Sequence, residues 1–427
     1  MDQSSFVRKE MLAPKAAPVS ETGAVGWMRQ NLFSGPLNIL LTLISVAVIF
    51  WVVTHTAPWF LNGVWKASSL AECREILNGA TGACWAVITE RWHQLIFGFY
   101  PPELYWRPIL AFVLMLVALA PVLYPSVPRG MIWFSLLYPL IGFWLLWGGT
   151  LWLPVVVLLG PLVGYVVYRV LRGYSSALGM ILGAVAILAF WLWLAGPLSQ
   201  DLQRMIPMAI REVPSRDFGG FMLSIIIGVT GIALSLPLGI VLALGRKSDM
   251  FLIRMLSIGF IEFVRGVPLI ALLFTASLLL NYFLPPGTNF DIILRVIIMV
   301  TLFAAAYMAE VVRGGLAALP RGQYEAADAL GLDYWRAQRL VIMPQALKIS
   351  IPGIVNTFIG LFKDTTLVVF IGLLDPIGLS NSIRANAAWN GIYWELFIFI
   401  GLCFFIICFG MSRYSLWLER KLKTDHR

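Results

Sequence analysis

The sequence predicts an all-α, polytopic membrane protein with about ten transmembrane helices, and three observations indicate this class. First, 59% of the 427 residues are hydrophobic and only 12% are charged. Soluble domains are nearer half apolar and a quarter charged, so this composition excludes an ordinary soluble protein. Second, the mean hydropathy is +0.84, and the apolar residues form long runs. Third, the basic residues collect between alternate runs.

The apolar runs are long enough to cross a bilayer, which takes about 17 to 25 residues. They lie at 37–57, 108–124, 131–149, 151–168, 177–197, 219–244, 255–283, 291–312, 347–373 and 393–416. The third and fourth runs meet near the triplet Gly148-Gly149-Thr150. The sequence therefore predicts ten crossings.

Basic residues set the predicted orientation, because Lys and Arg collect on the cytoplasmic side of membrane proteins. Residues 1–36 contain no cleavable signal pattern and are expected to form a cytoplasmic tail. Ten crossings then place most of the basic residues between the apolar runs, and those of the C-terminal tail, inside. The residues concerned are Arg8, Lys9, Lys15, Arg29, Arg129, Arg169, Arg172, Arg246, Lys247, Arg254, Arg321, Arg336, Arg339, Arg420 and Lys423. We attribute the net charge of +9 to this topology and not to nucleic-acid binding.

The chain divides into two membrane regions of different character. Residues 37–200 contain five helices rich in Trp, Leu and Val, with an extramembrane segment at 58–107. They carry few ionisable groups, which suggests a packing or lipid-facing role. Residues 215–420 carry Gly, Pro, Thr, Asn and charged residues within apolar runs. We expect the second region to carry the chemistry.

Two of the four cysteines, Cys73 and Cys84, lie in the segment 58–107, which the topology places in the periplasm. Disulfides form in that compartment, and the intervening Asn78–Gly82 offers a turn. The sequence is compatible with a disulfide and with two free thiols. Cys403 and Cys408 lie inside an apolar run and are expected to be core residues.

No catalytic or metal-binding site is expected. The histidines His55, His93 and His426 are scattered, and neither H-E-x-x-H nor C-x-x-C is present. The segment Gly245–Ser248 lacks the glycine spacing of a Walker A motif. The chain is therefore not expected to hydrolyse ATP, and energy must come from another subunit or from an ion gradient.

A polar segment at 320–344 interrupts the apolar second region. Its first part favours helix, and Gly331 suits a left-handed helix end. Asp333 is placed to cap a second helix that runs through Trp335 towards Pro344. The prediction is a short helix lying across the end of a transmembrane segment.

The same segment has the features of a docking surface. Ala326 and Ala327 have almost no side chain, so a partner's groove could approach their backbone closely. Glu325 and Arg321 would then fix the orientation by charge. An ordinary cytoplasmic connector is the alternative interpretation.

Other features of the second region point to a pathway through the membrane. Gly266 and Pro268 interrupt an apolar run, so a helix break is expected there. Such breaks survive in membranes where they line a cavity or are buried in protein. Lys363, Asp364 and Thr365 lie in another apolar helix, and Asn356 shares a face with Lys363. The two charged residues either line a pathway or form a structural pair.

A second pair of charges lies one helical turn apart at Glu310 and Arg313. This spacing allows an ion pair. The pair is expected to be structural, at the cytoplasmic rim, with a functional role as the alternative.

Residues from about 215 to 420 resemble the permeases of the polar amino-acid uptake family of ABC importers, the histidine and glutamine permease group. The matching stretches are Arg265–Pro268, Ala306–Glu310 with Arg313-Gly314, Gly322-Gln323, Glu325–Ala327, Pro344–Ala346 and Lys363–Leu367. The spacing of Glu325–Ala327, Gly331 and Pro344 is that of the family's EAA loop. The chain departs from the family at Thr366, where Ser is usual, and at Val267, where Thr is commoner. The extra N-terminal region is similar to that of the larger permeases of broad-specificity L-amino-acid importers.

The resemblance implies a permease subunit of an ATP-driven, binding-protein-dependent L-amino-acid importer in the bacterial inner membrane. The implied partners are a second, different permease, two ATPase subunits and a periplasmic amino-acid-binding protein. ATP and Mg²⁺ would bind to the ATPase, so this chain would hold no cofactor. The implied ATPase-coupling residues are Gly322, Gln323, Glu325, Ala326, Ala327, Gly331 and Pro344. The candidate residues of the substrate pathway are Gly266, Pro268, Asn356, Lys363, Asp364 and Thr365.

Two other classes of protein share some of these features. An ion-coupled secondary transporter also uses broken helices and intramembrane charges, but it would be expected to contain an internal repeat. The two five-helix halves are not similar to each other. A structural subunit without a pathway fits residues 37–200, but it gives no reason for the charged helices that follow.

Overall fold

The predicted all-α fold class is confirmed by the computed structural model, which describes residues 23–279, 282 and 291–422. The strands in this part of the chain are Gly149–Thr150 and Ala209–Ile210, which pair antiparallel. His426, Lys423 and the expected tail as far as residue 22 lie outside the described residues.

Within these ranges, nine helices are long and apolar enough to cross a membrane, and a bent pair raises the number to ten. The nine are Pro36–Leu61, Pro102–Leu123, Arg129–Trp147, Trp152–Leu171, Leu178–Met205, Gly220–Arg246, Ile292–Ala317, Tyr334–Ile371 and Trp394–Leu422. Each of the ten predicted runs corresponds to one of these helices or to the bent pair. The number of about ten predicted from the sequence is therefore confirmed.

The bent pair consists of Phe251–Gly266 and Leu269–Ser277, whose axes differ by 103°. Between them Val267 has an extended backbone, with φ −104° and ψ 133°. Pro268 has no N–H to donate to a preceding carbonyl, so the helix ends here. The predicted break is confirmed.

Shorter helices connect the spans. They are Gly23–Asn31, Leu70–Leu77, Ala86–Phe97, Arg321–Ala329 and Pro376–Ala385, with single turns at Ser215–Asp217 and Ala387–Trp389. Ser69 caps the second of them by accepting a hydrogen bond from the Glu72 N–H. Asp375 caps the last by accepting from the N–H groups of Ile377 and Gly378.

The chain forms two compact units, one ending at Ala86 and the other beginning at Val87. In the first unit, the helix Pro36–Leu61 buries none of its residues among those described. Its mainly aliphatic surface is suited to lipid or to another protein. The division predicted near residues 200–215 stays a prediction.

The core of the second unit is built on the helix Ile292–Ala317, which packs between Gly220–Arg246 and Met343–Asp364. Small residues allow this packing. At Gly239 a Cβ would lie 2.6 Å from the Cβ of Met308. A larger residue at this position would therefore force the helix Gly220–Arg246 away from the helix Ile292–Ala317.

The predicted second helix through Trp335 does not stop at Pro344, because the helices Tyr334–Ala337 and Met343–Asp364 form one continuous span through that proline. A wider turn over Gln338–Ile342 precedes the proline. Because the backbone hydrogen bonds of the helix are already shifted in this wider turn, the proline ring fits without breaking the helix.

Polar contacts join the segments around residues 100–107 and 146–147 to each other and to the segment 211–215, which precedes the helix Gly220–Arg246. The guanidinium of Arg107 donates to the carbonyl of Arg211 at 2.7 Å, and the Tyr100 hydroxyl donates to the carbonyl of Leu146 at 2.8 Å. The Trp147 indole N–H donates to the Ser215 hydroxyl at 2.6 Å. These contacts lie on the side of the membrane where the two strands pair.

Candidate functional site

The first candidate surface is the short helix Arg321–Ala329, which begins after Pro320. Gly331 ends it with a φ of +68°, a left-handed conformation that favours glycine. The Asp333 carboxylate then accepts a hydrogen bond from the Arg336 N–H at 2.9 Å and starts the next helix. The helix end at Gly331 and the cap at Asp333 are confirmed.

This short helix is held against the membrane-spanning core by side chains. The Tyr324 hydroxyl donates to the Leu316 carbonyl at 3.3 Å, and the Gln345 amide donates to the Gln323 side-chain oxygen at 2.9 Å. The Lys247 ammonium lies 6.0 Å from the centre of the Tyr324 ring. Burial lowers the pKa of Lys247, and the charge of Arg313 lowers it further. A displacement of the short helix would therefore be passed to three spans.

The outer surface of the helix differs from what the sequence suggested. Glu325 and Ala326 are exposed, but Ala327 is only 1% exposed. Ala327 therefore packs inside this chain, and its small side chain serves internal packing, while Ala326 remains open to a partner.

Large apolar side chains surround the exposed end of the helix, and sequence reasoning missed them. Leu330 is 76% exposed and Trp335 is 70% exposed, with Tyr334 also exposed. The sequence signal that could have indicated them is the presence of large apolar residues close to Gly331 in an otherwise polar segment. We refer to Glu325, Ala326, Leu330, Tyr334 and Trp335 as the coupling patch.

The second candidate site is a cluster of charges centred on Glu310, which is 16% exposed. Its carboxylate accepts from Arg246 at 2.8 Å and from Arg313 at 2.9 Å, and Arg265 lies 3.8 Å away. Arg246 also pairs with Glu262 at 2.8 Å. The cluster joins the spans Gly220–Arg246 and Ile292–Ala317 to the first arm of the bent pair.

Three arginines in this cluster share two glutamates, so it carries a formal charge of +1. The Arg265 guanidinium also lies 5.5 Å from the centre of the Tyr307 ring, close enough for a cation–π contact. The sequence predicted only the pair of Glu310 with Arg313. Arg246, Glu262 and Arg265 lie on other helices, and no spacing in the sequence indicates their approach.

The third candidate site combines the helix break with the segment around Lys363. The helix Leu269–Phe274, directly after Pro268, packs against the turn Thr365–Ile371. The structure therefore places the helix that follows the break next to the segment that begins at Thr365, and the pathway role of Gly266, Pro268, Asn356, Lys363, Asp364 and Thr365 stays a prediction.

Within this third site the side chains differ in exposure. Thr365 is fully buried and its hydroxyl donates to the Phe362 carbonyl at 2.7 Å. Lys363 and Asn356 are exposed, and Asp364 is half-buried. Among the described ion pairs none joins Lys363 to Asp364, because adjacent helical residues point about 100° apart. These charges therefore do not neutralise each other by direct contact.

In the first unit, Cys73 and Cys84 form a disulfide. The loop they close contains Asn78 in a left-handed conformation with φ 43°. Cys403 and Cys408 are free and half-buried in their helix. The part of the chain that the structure describes contains no group of three or more His, Cys, Asp or Glu residues that could hold a metal ion.

Comparison with known proteins agrees with this architecture. Residues 235–424 match the family of binding-protein-dependent transport system inner membrane components. The chain is 61% identical to the glutamate/glutamine/aspartate/asparagine transport system permease protein BztC of Rhodobacter capsulatus, over the full length of both chains. It is 39% identical to the inner membrane amino-acid ABC transporter permease protein YhdY of Escherichia coli, over 96% of each chain.

The chain belongs to the permease subunits of amino-acid ABC importers. Its function is to form the membrane-spanning part of an ATP-driven, binding-protein-dependent importer, and these relatives give no support to the ion-coupled alternative. A crystal structure of an amino-acid ABC transporter with histidines is also similar, with 28% identity and a TM-score of 0.42 over 47% of this chain and 91% of that chain.

Proposed function

We propose that this permease imports acidic amino acids and their amides, namely glutamate, aspartate, glutamine and asparagine. The single observation that carries the proposal is the 61% identity over the full chain to a permease named for those four substrates. The +1 charge of the cluster around Glu310 is consistent with substrates that carry one or two carboxylates.

We infer that the chain works with a second, different permease, two ATPase subunits and a periplasmic binding protein. The coupling patch supports an ATPase partner, because exposed Leu330 and Trp335 beside a charged short helix suit an apolar groove. The sequence contains no Walker A motif, so ATP and Mg²⁺ would bind to the ATPase and no cofactor to this chain.

We infer a location in the bacterial inner membrane with both termini in the cytoplasm. Six spans and the bent pair lie between Cys84 and the helix Arg321–Ala329. If the bent pair crosses the membrane, the number of crossings is odd, and the disulfide and the coupling patch lie on opposite sides. Disulfides persist in the periplasm, while an ATPase works in the cytoplasm. The disulfide and the distribution of basic residues thus support the same orientation with ten crossings.

The proposed mechanism is alternating access. ATP binding would close the ATPase subunits and move the coupling patch with them. The contacts of Tyr324 and Gln323 would pass this motion to the spans that end at Ala317 and begin at Tyr334. Because Glu310 holds three elements of the core together, the cluster around it would have to rearrange as those spans tilt.

The substrate pathway would pass the third candidate site. Residues 266–268 leave backbone groups free of helical bonds, and such groups bind ions and zwitterions in membrane transporters. Lys363 provides a positive group for a carboxylate, while Asp364 and freed carbonyls suit the ammonium. Asn356 and Thr365 would add neutral polar contacts along the same helix.

The proposal is tested by reconstituting the chain with its second permease, the ATPase and the binding protein in proteoliposomes. We expect uptake of labelled glutamate and glutamine that needs ATP and persists when ionophores collapse ion gradients. Uptake that follows an ion gradient and ignores ATP would overturn the importer assignment. ATP-driven uptake of only basic or large apolar amino acids would overturn the substrate class.

The pathway is tested by Lys363→Met and Asp364→Asn, singly and together. Because no direct ion pair joins the two side chains, we expect near-normal yield of the complex with a changed ratio of glutamate to glutamine uptake. A loss of complex in each single variant that the double variant restores would show instead that the two residues form a structural pair.

A further inference from the structure

The second unit contains an open cleft of about 450 Å³ that no part of the transport mechanism above uses. One wall is the helix Ala86–Phe97 with the chain that follows it, and the other is the helix Pro376–Ala385 with Asn386. The matched family region is 235–424. The first wall therefore lies outside that region, and the second wall lies within it.

The two walls are linked through the segment 217–220, which makes main-chain hydrogen bonds to the chain on each side. The Phe99 N–H donates to the Asp217 carbonyl at 3.0 Å, and the Gly220 N–H donates to the Leu374 carbonyl at 2.8 Å. Gly98, with a φ of +71°, turns the chain at the end of the first wall and pairs with Phe218. The cleft is thus formed by the backbone of this chain itself, before any partner binds.

The polar groups of the cleft are suited to a negative charge. Arg91 is half-buried, and within the described residues it makes no ion pair. The side chains of Gln94, Ser382 and Asn386 add neutral donors around it. None of the described residues that line the cleft is acidic. A carboxylate would find a guanidinium and amide donors here, a combination that makes strong charge-assisted hydrogen bonds.

The same composition argues against a free amino acid as the occupant. The ammonium of a zwitterion needs an anionic partner or several carbonyls, and no carboxylate lines this cleft. The cleft is also only partly enclosed, whereas pockets for small ligands enclose most of the ligand surface. A carboxylate on a protruding loop of another protein fits both features.

The position of the cleft decides which protein can reach it. No membrane span lies between Cys84 and Arg91, so Arg91 is on the same side of the membrane as the disulfide. The second wall lies between the spans Tyr334–Ile371 and Trp394–Leu422. The cleft therefore faces the periplasm in the orientation inferred above, the side from which substrate arrives.

We propose that this cleft receives an Asp or Glu side chain of the periplasmic substrate-binding protein, with Arg91 as its ion-pair partner. The helix Ala86–Phe97, which precedes the matched family region, would then supply half of a docking surface. This inference rests on the proposed function, in which a binding protein delivers the substrate.

The test uses the complete reconstituted importer and measures ATPase activity against the concentration of loaded binding protein. With Arg91→Glu, we expect the concentration for half-maximal stimulation to rise about tenfold or more, because an attraction becomes a repulsion. Arg74→Glu is the matched control. Arg74 is exposed on the helix Leu70–Leu77 and does not line the cleft, so its stimulation curve should not change.

A second variant keeps the test decisive if Arg91→Glu fails to assemble. Arg91→Lys retains the charge and provides an amine, which a water-soluble carbodiimide joins to a nearby carboxylate as an amide. We expect a covalent adduct with the binding protein in Arg91→Lys that is absent from the wild type, and mass spectrometry should locate the new amide at position 91. An unchanged adduct pattern would overturn the proposal.

Two further outcomes separate this proposal from the proposed function. If the binding protein stimulates the wild type and Arg91→Glu equally, the cleft is not the docking site, although the importer assignment stands. If it fails to stimulate even the wild type, the proposed function itself fails. Saturable binding of free glutamate to the wild type without binding protein, lost in Arg91→Glu, would make the cleft a small-molecule site and overturn the docking proposal.

Discussion

Replacing Glu310 by Gln should destabilise the permease more than any other single loss of a carboxylate in its charge cluster. Glu310 accepts hydrogen bonds from Arg246 at 2.8 Å and Arg313 at 2.9 Å, and it is 16% exposed. Removing one partner of a buried ion pair costs about 3 to 5 kcal/mol, because the remaining charge stays buried and unpaired. The arginines here are 24% and 41% exposed, so water screens part of this cost. We expect a loss of about 2 kcal/mol in the free energy of unfolding.

The matched control is Glu262→Gln, which removes a carboxylate from the same cluster. Glu262 is 54% exposed, and among the described ion pairs it contacts only Arg246, at 2.8 Å, so water screens this pair and its loss should destabilise the protein much less than the loss of Glu310. The assay is the apparent melting temperature of the purified importer, followed by size-exclusion fluorescence, together with the yield of assembled complex. The reasoning would be refuted if the two variants melted at the same temperature. It would also be refuted if Glu310→Gln were as stable as the wild type.

Three other predictions follow from particular residues. Ala326 is exposed, so Ala326→Trp should assemble normally but lose stimulation of the ATPase by binding protein. Ala327 is buried, so Ala327→Trp should lower the yield of complex, since overpacking costs about 1 to 3 kcal/mol. Equal behaviour of the two variants would contradict the assignment of Ala326 to the outer face and Ala327 to the inner face. Burial raises the pKa of Asp375 from 3.8 to about 6, so its contribution to stability is present below about pH 4 and is lost as the pH rises through 6, a change of about 3 kcal/mol. The melting temperature measured from pH 4 to 8 should therefore fall less steeply with pH in Asp375→Asn than in the wild type. An unchanged pH dependence would count against a raised pKa at Asp375. In the unreduced protein, Cys73 and Cys84 should resist thiol labelling until a reductant is added, and labelling of both beforehand would exclude the bond.

Local chemistry explains which features of the permease the sequence revealed. The ten apolar runs were readable because a bilayer core needs about 20 consecutive apolar residues, whatever the helices contact. The break at Val267-Pro268 and the helix end at Gly331 follow from the backbone limits of Pro and Gly. The sequence did not reveal that the helix continues through Pro344, after the wider turn over Gln338–Ile342.

What the sequence by itself determined was the membrane class, the number of crossings and the position of the short polar helix that we propose to face an ATPase. These follow from hydrophobicity, charge and backbone preference, which each residue carries with it. Only the tertiary structure decided that Glu310 binds Arg246 as well as Arg313, that Ala327 faces inward, and that Arg91 shares a cleft with residues almost 300 positions later. Contacts between distant helices depend on how their surfaces fit together, and the spacing of residues along one chain does not contain that information.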